Sequence, residues 1–255
     1  MNCRIHFENS PYKSIKHSSY FEVYDREFGE YRGKEIVFVE VGILGGGSLF
    51  MWRDFFGPKA RIIGIDLNPE AKSLEKEGFE IFIGDQSSVD FWNGFYSKVG
   101  NIDILLDDGG HRFNQQIVTV QMGENHIRDN GKILIEDTHT SYYKDFGPTR
   151  NLNFISWALN YIHSINYRHG KFNSSDASLN VYSVKFYESI VVFNVNRSLA
   201  IKSIPVSNNK EPYFENPMDF RYGDRSTRYT NIFKTFFKLP IIKFFKPFFG
   251  ALSLS

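Results

Sequence analysis

Apolar residues along the first half of the chain gather in short runs rich in branched side chains, and each run ends at or beside an acid. EIVFVEVG (35–42), RIIGID (61–66), EIFIG (80–84), IDILLD (102–107) and KILIED (132–137) have the length and composition of buried strands. Helical spacing fills the gaps. Aromatics recur at Tyr20, Phe21, Tyr24, Phe28 and Tyr31, and SLFMWRDFFG reads as a helix closed by Gly57-Pro58. A polar helix is expected over Pro69 to Glu77 and another from Gln115 to Arg128. Strands alternating with helices predict a parallel sheet with crossover helices. Further on, VYSVKFYESIVVFNV (181–195) places two apolar runs around Tyr187-Glu188-Ser189, an antiparallel hairpin signal. The expected fold class is α/β, a mostly parallel sheet with a terminal antiparallel hairpin.

The polar positions then point to one edge of that sheet. Glu40 lies near the end of the first strand, Asp66 ends the second and Asp85 follows the third. Asp107 and Asp108 end the fourth, Glu136 and Asp137 the fifth. In open α/β sheets ligands bind at the carboxyl ends of the strands. Adjacent carboxylates are costly to bury unless a cation pairs with them or they share a proton, so Asp107-Asp108-Gly109-Gly110-His111 marks a site rather than a strand interior. The glycine cluster Gly42-Ile-Leu-Gly45-Gly46-Gly47-Ser48 leads into a helix, whose free N–H groups can receive a ligand. It is neither G-x-G-x-x-G nor a lysine-bearing phosphate loop, which disfavours a phosphate-rich nucleotide. Asp66, about 20 residues beyond Gly46, is spaced to grip ribose hydroxyls. On spacing alone an adenosyl-type ligand, a nicotinamide dinucleotide and a merely structural turn all stay open.

VEVGILGGGSLFMWRDFFGPKARIIGIDLNPE resembles the first two motifs of class I S-adenosylmethionine-dependent methyltransferases, and IFIGDQSS the next. More narrowly, GGSLFMW, GDQ, DDGGH, NQQ and IEDTHTSYY, in that order, resemble bacterial metal-dependent sugar O-methyltransferases of the macrolide-sugar and capsular-sugar type. The resemblance covers roughly residues 17 to 195. It implies a Rossmann-like, seven-stranded fold with S-adenosylmethionine contacts at Glu40, Gly42, Gly45, Ser48, Asp66, Asp85, Gln86 and Asp107. It also implies a magnesium (or manganese) ion held by Asp108, Glu136 and Asp137. His111 would be the general base, with Asp108 beside it in the catalytic set, and His139, Tyr142 and Tyr143 would line the acceptor. Oxygen ligands suit magnesium, and a bound dication would orient sugar hydroxyls and ease their deprotonation. Plainer readings remain: Asp107 holding a turn, Asp108 capping a helix, His111 as a loop histidine, Glu136-Asp137 as a solvated strand end, and the aromatics as ordinary loop residues.

The whole chain sets outer bounds. Its 255 residues, 42% hydrophobic, suffice for one sizeable core. A net charge of +1 gives no electrostatic case for nucleic acid. Cys3, the single cysteine, excludes an internal disulfide framework and a cysteine-rich zinc site, and fits a reducing, cytoplasmic setting. No secretory signal is expected at the N-terminus, and no run of about 18 apolar residues spans a membrane. The expected organisation is an N-terminal helical cover (1–33), a methyltransferase domain (34–200) and a C-terminal extension (201–255). SWALNYIHSINYRHG (156–170) is expected as an inserted helix, a lid over the acceptor. In the extension, NIFKTFFKLPIIKFFKPFFG interleaves phenylalanine with lysine and proline. It suits peripheral contact with the inner face of a membrane, or docking on a second subunit in a homo-oligomer. That tail, with a composition typical of AT-rich genomes, favours a sugar of a surface polysaccharide, such as a capsular heptose, as acceptor. Antibiotic sugars, a phosphoramidate acceptor and a non-catalytic partner role are the alternatives. A hydroxylase-associated relative is disfavoured because no two-histidine, one-carboxylate set stands at clear spacing.

Overall fold

The computed structural model describes residues 2–148, 152–169, 178–211 and 213. The chain divides into two compact units, Met1–Ser203 and Ile204–Ser255. The first holds every named strand and helix: β1 Val37–Val41, β2 Arg61–Asp66, β3 Glu80–Ile83, β4 Ile102–Asp107, β5 Ile127–Ile135, β6 Val181–Tyr187 and β7 Ile190–Val195, with α1 Cys3–Glu8, α2 Tyr20–Phe28, α3 Gly47–Phe56, α4 Val89–Val99, α5 Phe113–Gly123 and α6 Phe154–Asn166. The basic Phe-rich stretch lies outside the described residues. Among those described, no helix is long and apolar enough to cross a membrane.

The seven strands run in the order β3-β2-β1-β4-β5-β7-β6. All neighbours are parallel except β7, which runs antiparallel to both β5 and β6. The chain winds outward from β1 in one direction, then returns to place β4 on its other side. The crevice for a ligand therefore opens between the carboxyl ends of β1 and β4.

Side chains alternate across this sheet, so each strand feeds two cores. Phe38, Ile104, Leu106 and Leu134 face α1, α2 and α3, whereas Val39, Leu105, Ile133 and Ile135 face α4, α5 and α6. On the first face Tyr24 lies 5.0 Å from Trp52, and Trp52 lies 5.0 Å from Phe38, centroid to centroid. Such aromatic pairs add about 0.5–1.5 kcal/mol each beyond the area they bury. They lock α2 onto α3 and β1, which fixes what Tyr24 and the residues just before α2 can reach.

Several elements differ from the sequence reading. The fifth helix ends at Gly123 rather than Arg128, because β5 begins at Ile127 and continues through Asn130, a left-handed residue at φ 68°. Pro69–Glu77 forms 3-10 turns rather than an α-helix. Helix α4 has no counterpart among the expected elements. Helix α6 buries Phe154 and Ala158 in the second core, with Tyr161 5.1 Å from Phe193 of β7, so it packs as a layer helix rather than standing free as a lid.

Candidate active site

Alternation explains the fate of the paired aspartates. Asp107 shares the face of Leu105 and turns toward α5; Asp108, one residue on, turns toward α2 and α3. Glu40 follows the face of Phe38, and Glu136 that of Leu134. Three acids at the ends of adjacent strands β1, β4 and β5 thus converge on one side of the sheet.

The side chain at their centre is Lys16, from the segment before α2. Its Nζ lies 2.7 Å from Asp108 Oδ2, 3.1 Å from Glu136 Oε2 and 3.3 Å from Glu40 Oε1. Lys16, Glu40 and Glu136 are buried. Burial alone would depress the ammonium's pKa, but Asp108, Glu136 and Glu40 together hold it well above the usual lysine value. Burial pushes Glu136 well up and Glu40 up, each opposed by Lys16. Each glutamate also accepts a hydroxyl: Tyr24 Oη donates to Glu136 at 2.5 Å, and Ser48 Oγ to Glu40 at 2.6 Å. Nothing in the polar segment around Lys16 marks it in sequence; it reads as solvated.

On the opposite face Asp107 is closed off. Gln86 Nε2 donates to both its oxygens at 2.9 Å, and Gly109 N–H donates at 3.0 Å. Burial raises the Asp107 pKa, with Gly109 and Gln86 working against it. Gln86 Oε1 accepts from Gly110 N–H at 2.9 Å, so the pair braces the turn that delivers His111. The side chains of Gln86 and Asp107 meet each other inside the protein, while Asp85 is exposed and bonds Ser87.

The glycine loop packs tightly on both sides. Gly42 has φ 81°, and a Cβ there would fall 2.6 Å from Gly109 Cα. A Cβ on Gly47 would meet the Lys13 carbonyl oxygen at 2.7 Å, and Ser10 Oγ donates to the Gly47 carbonyl at 2.7 Å. The segment leading to Lys16 therefore lies across the start of α3. Asp66 Oδ2 accepts from the N–H groups of Ile43 and Leu44 at 3.0 and 3.1 Å, which fixes the loop. Around Asp66 and the exposed Gly45, the side chains of Leu44, Leu67 and Ile83 are also exposed, an apolar shelf at the ends of β1, β2 and β3.

Asp108, His111 and Asp137 offer ligand atoms that all lie within 4.8 Å of one another. His111 Nε2 is 3.4 Å from Asp137 Oδ2, and His111 Nδ1 is buried without a hydrogen-bond partner. Glu136, the remaining expected metal ligand, is turned to Lys16 and Tyr24 instead. Beyond Asp137 a 3-10 turn over Thr138–Tyr142 carries His139, followed by Tyr143; Tyr142 and Tyr143 are exposed, and His139 stands edge-on to Tyr143. His111, Asp137 and Ser189 all hold left-handed backbone at φ 57°, 53° and 60°. Such conformations cost about 1–3 kcal/mol in non-glycine residues and gather where function requires a fixed side-chain direction.

This strand order, with antiparallel β7 beside β5 and the glycine loop after β1, is the Rossmann-like fold of class I methyltransferases. No protein-family model matches the chain. Mycinamicin VI 2''-O-methyltransferase of Micromonospora griseorubida is 32% identical over 131 residues, 49% of this chain and 32% of its own. Demethylmacrocin O-methyltransferase of Streptomyces fradiae is 34% identical over 131 residues, 49% of this chain and 33% of its own. The chain thus spans about a third of the length of these curated relatives. Among solved structures, the MycE methyltransferase in complex with Mg, SAH and mycinamycin VI superposes with a TM-score of 0.71, covering 89% of this chain and 59% of that one at 23% identity.

Proposed function

We propose that the chain is an S-adenosylmethionine-dependent, magnesium-assisted O-methyltransferase acting on a sugar hydroxyl. The observation that carries this reading is the convergence of Asp108, Asp137 and His111 beside the glycine loop, at the switch point of the sheet. Several relatives are named as O-methyltransferases, two of them of rhamnosyl-tetracenomycins, which supports a sugar as acceptor.

The residues present fit both groups. The exposed Leu44, Leu67 and Ile83 around Asp66 and Asp85 offer an apolar face with flanking acids, suited to an adenosine moiety. Asp108 and Asp137 offer hard oxygens suited to magnesium, and Glu136 would join them on leaving Lys16 and Tyr24. When bound, S-adenosylmethionine supplies an electrophilic methyl group, and the dication supplies positive charge at the acceptor oxygens. His111 does the proton work: with hydrogen on its buried Nδ1, the Nε2 lone pair is free to take the hydroxyl proton. Asp137 Oδ2, 3.4 Å away, stabilises the imidazolium that results. The hydroxyl so deprotonated would be the nucleophile for that methyl group, with S-adenosylhomocysteine as the leaving group. With Glu136 turned to the ion, Lys16 would stay paired with the buried Glu40.

A surface-polysaccharide sugar is the finer part of the proposal, supported only by the basic, Phe-rich tail sequence and the composition. The test is titration of S-adenosylhomocysteine into the full chain with magnesium or chelator, followed by methyl transfer to a panel of nucleotide-linked and macrolide-linked sugars. Micromolar binding, with turnover abolished in His111→Ala but binding kept, supports the reading. Absence of binding under every condition overturns it.

A further inference from the structure

A second cluster shares Asp137 but faces the other way. Among the described residues, His17, Asp137 and His139 each present one ligand atom, all within 4.8 Å of one another. His17 Nε2 is 3.7 Å and His139 Nδ1 3.9 Å from Asp137 Oδ1, the oxygen turned away from His111. His17 lies far in sequence from Asp137 and His139, so no linear motif announces the set. We propose that this corner is a site for a transition-metal dication of the iron, cobalt, nickel or zinc class, held by His17, Asp137 and His139.

The chemistry of the donors selects that class. Two imidazoles and one carboxylate suit borderline transition metals, whereas magnesium and calcium prefer all-oxygen surroundings. Asp137 and His139 are also held by hydrogen bonds of the kind that orients metal ligands. Tyr20 Oη lies 2.5 Å from Asp137 Oδ1 and 2.9 Å from Ser189 Oγ. Ser189 Oγ in turn lies 2.5 Å from His139 Nδ1, the nitrogen that faces Asp137 Oδ1, so the hydroxyl holds the ring in place and would yield that nitrogen to a bound ion. A carboxylate oxygen has lone pairs enough to accept from Tyr20 and bind an ion together. Asp137 and Ser189 both pay for their position in left-handed backbone, and Thr138 N–H donates to the Ser189 carbonyl at 3.1 Å, tying the two strained residues together. One side is open: His17 is 64% and His139 37% exposed, so a bound ion would keep coordination positions for water or an incoming ligand. This site does not depend on methyl transfer. Asp137 would couple it to the cluster around His111, one carboxylate oxygen facing each.

The experiment is titration of the chelator-stripped full chain with cobalt(II) in excess magnesium, which keeps the neighbouring oxygen-rich cluster occupied, followed by its visible d–d absorption. Binding of one equivalent is expected with ligand-field bands of a nitrogen-containing site. Removing an outer-layer partner typically weakens metal binding about 10–100-fold, so Ser189→Ala is expected at the lower end and His17→Ala and His139→Ala at or beyond the upper end. His111→Ala is expected to leave cobalt binding in place. Because His17 is exposed, its substitution tests the site without disturbing the core, and thermal melts check that each variant is folded. Nitrogen-site cobalt bands that survive, in excess magnesium, in the folded His17→Ala/His139→Ala double variant overturn the proposal. So does binding lost in His111→Ala while the other two variants retain it, or no binding by the wild type.

Discussion

Replacing Lys16 with methionine keeps most of the stem and removes the charge that three acids share. Asp108 is partly open to solvent and loses little. Glu40 and Glu136, both fully buried, are left with one hydroxyl each, from Ser48 and Tyr24. Removing one partner of a buried ion pair costs about 3–5 kcal/mol; with those two hydrogen bonds retained, about 3 kcal/mol is expected. In a chain of this size that corresponds to a melting temperature lower by about 6–12 °C. The deficit has a definite pH dependence. Burial holds the folded-state pKa of both glutamates above the ordinary value of 4.5, more so without Lys16. An acid whose pKa rises on folding destabilises the protein only above its unfolded pKa, so the deficit is widest near neutrality and shrinks as pH falls toward 4.5. Thermal unfolding followed by circular dichroism across that range measures it. The double variant Lys16→Met/Glu136→Gln should lose less than the sum of the two singles. A Lys16→Met melt within about 2 °C of wild type at neutral pH, or strict additivity in the double variant, would refute the reasoning.

Two further outcomes follow from other parts of the structure. Gly42→Ala would force a side chain into left-handed backbone and onto the Gly109 backbone; a loss of about 2–4 kcal/mol and weaker S-adenosylhomocysteine binding are expected, measured by urea unfolding and calorimetry. Glu27, fully buried, accepts from Lys185 at 2.7 Å, Tyr187 at 2.6 Å and Lys132 at 3.2 Å. Burial alone would raise its pKa, but Lys185, Tyr187 and Lys132 lower it below the ordinary 4.5, so its stabilisation is present above that value and lost as pH falls through the lower one. Glu27→Gln should therefore cost about 3 kcal/mol near neutrality and progressively less in acid; a pH-independent deficit would contradict this.

The strands are legible because a parallel sheet buries both faces, and VFVEV, RIIGID and IDILLD show it as apolar runs with at most one acid inside them. The acids at their ends were legible as an edge. What alternation does to adjacent residues was not drawn out: Asp107 and Asp108 are neighbours in sequence yet serve opposite faces. Helix α4 escaped because Gly94 and a crowd of aromatics blur its period, and the start of β5 escaped because Asp129-Asn130-Gly131 looks like a turn. Lys16 was invisible. A lysine in SPYKSIKHSS has no local reason to be buried, and only tertiary packing of α2 on α3 draws it under the sheet edge. The trio of His17, Asp137 and His139 is hidden for the same reason: the two-histidine, one-carboxylate set absent from the linear spacing is assembled by the fold.

The contacts of Lys16 also say when the acidic edge is completed. They reach across 24, 92 and 120 residues of chain, to Glu40, Asp108 and Glu136. Closing such loops is slow, because the entropy of bringing distant segments together is spent before any contact rewards it. Until β5 is laid beside β4, Lys16 lacks one of its partners and Glu136 lacks its counter-charge. The acidic cluster around Lys16 is thus complete only when the whole sheet from β1 to β5 is in place.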